Sequence, residues 1–275
     1  MKLLSLQPGN RSALKFIGNT DVLPVWTGFA LIILFSLLHP AFLTWPNFWN
    51  IVRQSSVLLV ASMGSTFIIL MGSIDLSIGA IMTLAAITAA TNSPTLGPAS
   101  LLLGLLVGMV CGAINGTLNA ILRLPRFLVT LGTLFVFQSV GLIISQGRPR
   151  PWSTAFTDLI AGGTVFGAVP KIGLSFLLIC MFVAQKTRFG RTIYAIGDDE
   201  RTAGIHTQRI KIFAFMLAGL IASLAGMFLG IRSYSAAPGM GDAFLLDTIA
   251  AVVLGGTALT GGIGGPLSEQ FSASS

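Results

Sequence analysis

One acidic side chain stands alone in a long uncharged part of the sequence. Residues 57–122 contain a single charged group, Asp75, within the run Met71-Gly-Ser-Ile-Asp-Leu-Ser-Ile-Gly79 between two apolar stretches. An ionised group at the centre of a bilayer costs at least ~2.5–3.5 kcal/mol. The carboxylate therefore indicates either that a helix breaks here or that something polar passes it. Gly72, Asp75, Ser77 and Asn115 are the candidate pathway or helix-break residues, and capping of the following helix is the structural alternative for Asp75.

The other reactive residue types form no catalytic or metal-binding set in the sequence. Cys111 and Cys180 fall in apolar runs without a second Cys or a His at ligand spacing, which favours buried thiols. Neither histidine has a nucleophile partner. The glycines within 255–256 and 261–265 lack the Gly-Lys-Ser/Thr of a phosphate loop and favour close helix packing or an unwound segment. The sequence predicts neither an enzyme nor a bound cofactor or metal.

The composition places the chain in a membrane. Apolar residues make up 53% of the 275 positions, charged residues 9%, and the mean hydropathy is +0.86, whereas a soluble domain has roughly 25% charged residues. The net charge of +7 is explained by basic loops facing anionic lipid, so membrane lipid is the expected partner and nucleic acid is not.

Uncharged runs predict an all-α polytopic membrane protein with about eight transmembrane or re-entrant helices, at ~20 residues per span. The second and third runs look too short together for two full spans, which predicts a broken or re-entrant pair around Asp75. The sixth is expected to extend past Lys171. The eight runs are Val22–Phe42, Val57–Ile74, Leu76–Ala90, Pro98–Leu122, Phe127–Ser145, Ile172–Ala184, Ile212–Ile231 and Thr248–Gly265.

The Lys and Arg positions predict the orientation, because cytoplasmic loops collect basic residues. With eight spans and a cytoplasmic N-terminus, eleven of the 16 basic residues fall inside and five outside. The predicted organisation is a cytoplasmic segment 1–21, a membrane domain 22–265 with a cytoplasmic loop 186–211, and a polar tail 266–275.

Four glycines recur at a spacing of four in the fourth predicted span, at Gly104, Gly108, Gly112 and Gly116. They lie on nearly one helix face and allow a neighbouring backbone to approach. This face is predicted to be an interface, either within the chain or with a second copy.

The loop 186–211 has the composition of a docking element. Asp198, Asp199 and Glu200 follow Gly197 and suit the positive N-terminal end of a short helix. Gly204 suits the end of that helix. The alternative is a solvated loop held on lipid by its basic residues.

Three sequence blocks resemble the permease subunits of bacterial ABC importers for ribose, galactose, arabinose, xylose and autoinducer-2. They occur in the order found in that family, and smaller matches such as Gly112-Ala-Ile-Asn-Gly116 lie between them. The three blocks are Gly72-Ser-Ile-Asp-Leu-Ser-Ile-Gly79, Thr187-Arg-Phe-Gly-Arg-Thr-Ile-Tyr-Ala-Ile-Gly197 and Leu246-Asp-Thr-Ile-Ala-Ala-Val-Val-Leu-Gly-Gly-Thr-Ala-Leu-Thr-Gly-Gly-Ile-Gly264.

The resemblance implies a permease of the bacterial inner membrane that itself hydrolyses nothing. Its expected partners are a cytosolic ABC ATPase, a second permease copy in a homo- or heterodimer, and a periplasmic or extracellular sugar-binding protein. By position in the family pattern, the helix that couples to the ATPase is formed by Gly197, Asp198, Asp199, Glu200, Ala203, Gly204 and Ile205.

Two departures from the family pattern are visible. The pattern has about three more residues between Glu200 and Gly204, most of a helical turn, so the coupling helix is expected to be short. Relatives continue through roughly two further spans after the glycine motif, to about ten in all, so the chain looks C-terminally truncated. Two alternatives therefore stay open beside the importer: an ion-coupled secondary transporter that uses Asp75, and an inactive truncated permease.

Overall fold

The computed structural model describes residues 23–122, 124–154, 156, 164–198 and 207–265. Helices dominate, and their bounds in chain order are α1 (Leu23–Leu38), α2 (Trp45–Leu70), α3 (Ile78–Leu96), α4 (Ser100–Leu122), α5 (Arg126–Ser145), α6 (Thr164–Lys186), α7 (Arg188–Asp198), α8 (Thr207–Arg232) and α9 (Ala243–Leu254). A 3-10 turn, Gly97–Ala99, joins α3 to α4, and two short strands, β1 (Arg150–Pro151) and β2 (Ser235–Ala236), pair antiparallel.

The chain divides into two compact units, residues 1–52 and residues 53–275. In the first unit, α1 ends at Leu38 and not at the predicted Phe42. The reason is Pro40, because a proline disfavours helical backbone at the preceding residue, here His39. The apolar side chains of α1 are mostly exposed, as expected for a helix that faces lipid.

Among the described residues, five helical runs are long and apolar enough to cross a membrane. The second of them is divided by the 3-10 turn into α3 and α4. This finding confirms an all-α polytopic membrane protein. The runs are Trp45–Leu70, Ile78–Leu122, Arg126–Ser145, Val169–Lys186 and Thr207–Arg232.

Helix α3 lies at the centre of the second unit and packs against α4, α5, α8 and α9. It is apolar all round, and nearly every residue from Ile78 to Ala90 is buried, which is the pattern of a core helix. Small residues at its contacts let the neighbouring helices come close. For example, a Cβ on Gly226 of α8 would overlap the backbone of Met82 in α3. Close backbone packing of this kind is what holds helices together in lipid.

The ends of the helices in the second unit gather on two opposite sides of that unit. At one end, Ser153 donates its backbone N–H to the Ser93 hydroxyl at 2.9 Å, and β1 pairs with β2; we call this the hairpin end. At the other end lies the loop 71–77 between α2 and α3, beside the start of α5 and the end of α7; we call this the junction end.

Three of the predicted spans need correction. Helix α2 begins at Trp45, twelve residues before the predicted start, so α2 and α3 are long enough for two spans and the estimate that they are too short was wrong. The predicted extension of the sixth span past Lys171 is confirmed by α6. The predicted span Thr248–Gly265 is wrong: α9 ends at Leu254, and 255–265 is irregular because five of its six glycines adopt positive φ angles.

Candidate coupling site

The helical structure is interrupted between α2 and α3, as the isolated Asp75 predicted; we call this interruption the break. Helix α2 ends at Leu70, and residues 71–77 are non-helical. Gly72 makes the turn with a φ of 67°, a left-handed conformation that favours glycine. A Cβ at this position would also lie 2.9 Å from the Thr260 carbonyl oxygen. Two constraints, conformation and space, therefore select glycine at the break.

Asp75, Ser77 and Asn115 form one buried hydrogen-bond chain at this break. The Asp75 Oδ1 accepts the Ser77 backbone N–H at 2.8 Å and the Ser77 hydroxyl at 2.7 Å. The Asn115 amide, from α4, in turn donates to the Ser77 hydroxyl at 2.7 Å. Ser77 and Asn115 are fully buried and Asp75 is 7% exposed. These bonds link the start of α3 to the second half of α4 and give the Asp75 carboxylate and the Ser77 hydroxyl partners that lipid could not supply.

Arg126, at the start of α5, holds the other side of the break. Its Nη1 donates to the Met71 carbonyl at 2.7 Å and to the Gly72 carbonyl at 3.0 Å. Thr130, one turn on, donates to the Ile74 carbonyl at 3.3 Å. These carbonyls belong to the non-helical loop 71–77, where no helical N–H is available to them. In the sequence, Arg126 is one of the eleven basic residues predicted to lie on the cytoplasmic side, and no local pattern indicates this contact.

Helix α7 packs its apolar face onto the membrane helices at the junction end. Gly190, Ile193 and Ile196 are buried, and the Phe189 ring lies 6.1 Å from Phe67 of α2 and 5.1 Å from Phe213 of α8. Thr187 caps the helix by accepting the Gly190 N–H at 3.1 Å.

The position of α7 corrects the prediction for the loop 186–211. Asp198 lies in α7, as its last described residue, whereas the short helix predicted after Gly197 falls mostly outside the described residues and stays a prediction. Residues 188–198 have a strong 3.6-residue apolar pattern, which is the local signal for a helix inside the predicted loop. Five of the predicted coupling residues lie outside the described residues: Asp199, Glu200, Ala203, Gly204 and Ile205.

The end of α7 meets the break through backbone alone. Gly197 lies so close to the Leu70 carbonyl and the Gly262 N–H that a Cβ would overlap both. Gly262 donates this N–H to the Leu70 carbonyl at 2.9 Å. A Cβ on Gly261 would lie 2.6 Å from the backbone N of Gly72. We call this contact of Leu70, Gly72, Gly197, Gly261 and Gly262 the glycine junction.

Tyr194 also binds the irregular residues 255–265, which we call the glycine segment, to α7. Its hydroxyl donates to the Gly264 carbonyl at 2.7 Å. Burial raises the pKa of the Tyr194 phenol above its usual value of 10.0, so the hydroxyl stays protonated and able to donate. The glycine segment is therefore held by a side chain as well as by backbone contacts.

The glycine face of α4 is an interface within the chain. Gly108 and Gly112 pack against the backbone of α8 at Gly219 and Phe215, too close for a Cβ on either. At Gly116 a Cβ would lie 2.7 Å from the Ile212 Cα. Of the two interpretations of this face, packing within the chain is the one confirmed.

The structure thus brings together residues that were predicted separately. Gly72, Asp75, Ser77 and Asn115 lie at one break, and Gly197 contacts that break directly. The three sequence blocks that carried the family resemblance meet at the glycine junction.

The chain was compared with known proteins. Residues 47–269 match the family described as branched-chain amino acid transport system / permease component. The chain is 40% identical over 245 residues to the ribose import permease protein RbsC of Bacillus subtilis (strain 168), covering 86% of this chain and 76% of the relative. It is 35% identical over 247 residues to RbsC of Haemophilus influenzae, covering 85% and 76%.

A third relative is the probable ABC transporter permease protein YphD of Escherichia coli (strain K12), which is 37% identical over 241 residues and is matched over 85% of this chain and 73% of its own length. No solved structure matches the chain. The family match covers most of the sequence and includes all the elements of the junction end. The chain belongs to this family of transport-system permease components.

Proposed function

We propose that the chain is the transmembrane permease subunit of an ATP-driven ABC importer that carries a monosaccharide or similar small polar solute into the cytoplasm. The names of the relatives, which are ribose import permeases, support the class of solute. One structural observation carries the mechanism: the amphipathic helix α7 is in direct backbone contact with the break between α2 and α3.

Helix α7 is the element that docks on the ATPase. One face is buried against the membrane helices, while Arg188, Arg191 and Asp198 are exposed. A short rigid helix with a charged outer face is suited to receive a cytosolic partner. In this proposal the exposed end of α7 and the residues that follow it, through Ile205, contact the ATPase.

The glycine junction transmits the movement of α7. Gly197 and Leu70 touch through backbone atoms, without a flexible side chain between them. A displacement of α7 by the ATPase must therefore move the end of α2 and the glycine segment with it. Coupling of this kind needs a packed element with two discrete arrangements, which nucleotide binding then biases.

Asp75, Ser77 and Asn115 hold the break and do not form an open part of the pathway in this conformation. Supporting this role, all three are buried and bonded to one another. The Asp75 carboxylate accepts the backbone N–H of Ser77, two residues on and immediately before α3, which is an Asx turn that orders the approach to the helix.

The junction end faces the cytoplasm in this proposal. Basic residues gather there, including Lys186, Arg188 and Arg191 beside α7 and Arg209 and Lys211 at the start of α8, as the positive-inside rule requires. The further partners are a second permease copy and an extracellular or periplasmic sugar-binding protein.

The test is D-[14C]ribose uptake into proteoliposomes that contain the chain, its ATP-binding subunit and a ribose-loaded binding protein. Uptake that requires internal ATP and survives collapse of the ion gradients supports the proposal. Uptake that collapses with the gradients and needs no ATP contradicts it and favours an ion-coupled carrier.

The variant Asp75→Asn sharpens this test. The asparagine Oδ1 can still accept from Ser77, so a structural role in this turn predicts ATP-driven uptake close to that of the unmodified chain. A site that binds or releases a cation at Asp75 predicts loss of uptake in the same variant.

A further inference from the structure

A second polar contact lies on the surface of the membrane domain, between α5 and the residue before α9. Gln138 of α5 donates its amide Nε2 to the Asp242 Oδ1 at 3.0 Å. Asp242 immediately precedes α9, so the contact joins two elements that are distant in sequence. Asp75 is buried, whereas Asp242 is exposed and Gln138 is half-buried.

The pair lies deep in the membrane layer. Gln138 is twelve residues beyond Arg126 at the junction end and seven before Ser145 at the hairpin end. At 1.5 Å per residue, these separations are ~18 and ~10 Å along the helix. The hydrocarbon core is ~30 Å thick, so Gln138 lies inside it and not in a headgroup region.

An exposed carboxylate at this depth cannot face lipid at low cost. Charged groups on membrane helices face the bundle interior or a water-filled cavity, because exposure to hydrocarbon costs at least ~2.5–3.5 kcal/mol. The face of the chain that carries Asp242 is therefore expected to face water.

The position of Asp242 is fixed by the central helix. Gly241 packs against Gly79 of α3 too closely for a Cβ, and donates its N–H to the Thr83 hydroxyl at 3.0 Å. The Asp242 N–H is itself bonded to the Gly239 carbonyl at 3.0 Å. The carboxylate is thus presented by a segment anchored on α3, next to the break that the glycine junction controls.

The chemistry of the pair matches a hydroxyl-rich solute. Asp242 keeps a second carboxylate oxygen, Oδ2, as an acceptor, and the Gln138 amide keeps one N–H donor and its carbonyl. Such a set can accept and donate hydrogen bonds to neighbouring hydroxyls of a sugar. Within the described part of the chain, no group of three metal-ligating side chains converges, which favours a neutral solute over a bound metal.

We infer that Gln138 and Asp242 form a sugar-contact site on the translocation path, inside the membrane layer and nearer to its hairpin end. This inference rests on the proposed function and adds to it the place where the solute touches this chain. The two side chains form transient hydrogen bonds with the solute as it passes. They take no part in transmitting the movement of the ATPase to the break.

Cysteine labelling tests whether the pair faces water, and does not depend on transport. In a background in which the buried Cys111 and Cys180 are replaced by Ala, Gln138→Cys is compared with Ile143→Cys, a position that is 75% exposed on another face of α5. A charged methanethiosulfonate reagent reacts with thiolates, which form in water and not in lipid. We expect Gln138→Cys to react about tenfold faster than Ile143→Cys, and D-ribose to slow the reaction.

Two labelling results would overturn the inference. Equal slow reaction at both positions would place Gln138 against lipid. Slow reaction at Gln138→Cys together with oxidative cross-linking between two copies at that position would make the face a packed interface.

Ribose uptake by variants tests the sugar-contact site separately from the importer function on which it rests. Asp242→Ala and Gln138→Leu should each lower D-[14C]ribose uptake about tenfold, the effect of losing a hydrogen bond to a charged or amide group. Stimulation of ATP hydrolysis by the loaded binding protein should persist in both. The matched control is Ser139→Ala, since that exposed hydroxyl already bonds to the Phe135 carbonyl at 2.7 Å, and its uptake should be unchanged.

The outcomes are distinguishable. ATP-dependent uptake that is equal in Asp242→Ala, Gln138→Leu and the control would overturn the sugar-contact site and leave the importer standing. If the unmodified chain shows no ATP-dependent uptake, the importer proposal fails, and the labelling comparison alone then decides whether the pair lines a water-filled path.

Discussion

Gly197, near the end of α7, lies against the backbone carbonyl of Leu70, the last residue of α2, with no room for a Cβ between them. This contact joins an amphipathic helix outside the membrane spans to the end of a helix that is long enough to cross it. The same carbonyl accepts the N–H of Gly262 at 2.9 Å. Three segments that are distant in sequence therefore meet at one peptide group, and a shift of α7 must be felt by the other two.

The close crossing of α4 and α8 predicts a large effect for a small substitution. In Gly112→Ala the new methyl would overlap the Phe215 backbone, and we expect a loss of ~1–3 kcal/mol in stability, the usual cost of overpacking. Thermal unfolding in detergent measures it. The matched control is Gly132→Ala in α5, where a Cβ meets nothing within 4 Å and helix propensity predicts no loss or a gain. Equal unfolding temperatures for the two variants would contradict this account of the packing.

The hydrogen-bond chain at the break predicts a cost for removing its central hydroxyl. Ser77→Ala leaves the Asn115 amide and one contact of Asp75 without a buried partner. An unsatisfied buried polar group costs ~1–3 kcal/mol, so unfolding should occur at a lower temperature. Ser139→Ala removes an exposed hydroxyl and should leave the unfolding temperature unchanged. If the Ser77→Ala variant is as stable as that control, these hydrogen bonds are not important for the stability of the fold.

Arg126 should restrain the loop 71–77. Arg126→Met keeps an unbranched side chain but removes the donors to the Met71 and Gly72 carbonyls. Amide hydrogen exchange should then rise in residues 71–77, because local opening becomes easier. The comparison variant is Arg188→Met in α7, whose side chain is exposed. Unchanged exchange in 71–77 for Arg126→Met would mean that the loop is held by its other contacts alone.

Tyr194 should stabilise the glycine segment, and its contribution to the free energy of unfolding should change only at high pH. Burial raises the pKa of the Tyr194 phenol above 10.0 in the folded chain. The folded state thus keeps a proton that the unfolded state loses, so this contribution is complete below about pH 10 and falls as the pH rises further.

The comparison of Tyr194→Phe with the unmodified chain measures this contribution. The variant loses the bond to the Gly264 carbonyl and should be less stable by ~0.5–1.5 kcal/mol. The difference in unfolding temperature should be constant from neutral pH to about pH 9 and should shrink at higher pH. A difference that disappears near neutral pH would contradict the assignment to the neutral phenol.

The sequence predicted the break and the class of fold because both depend on local signals. A single acid in a long apolar run is costly in lipid, and Asp75 indeed lies in a non-helical segment. Long uncharged runs identified the helices, although their ends shifted where a polar residue such as Arg53 lies inside a helix. The glycine spacing in α4 showed that a neighbour packs there, and only the three-dimensional structure identified that neighbour as α8.

The contacts that carry the coupling proposal depend on long-range packing and could not be read from the sequence. Nothing local to Gly197 indicates that it touches Leu70, and nothing local to Arg126 indicates that it binds carbonyls 54 and 55 residues earlier. The same is true of Gln138 and Asp242, which are 104 residues apart. Helix α7 itself has a local signal, because the apolar residues of 188–198 recur at helical spacing.

The central claim is that the glycine junction transmits the movement of α7. Its most direct test measures the ratio of ribose imported to ATP hydrolysed in proteoliposomes that contain the ATP-binding subunit and the loaded binding protein. The variants compared are Gly197→Ala and Gly132→Ala. We expect both variants to retain the ATP-binding subunit on purification. The ratio should fall about tenfold in Gly197→Ala, since its methyl forces apart α7 and the end of α2, and should be unchanged in Gly132→Ala. An unchanged ratio in Gly197→Ala would contradict transmission through the glycine junction.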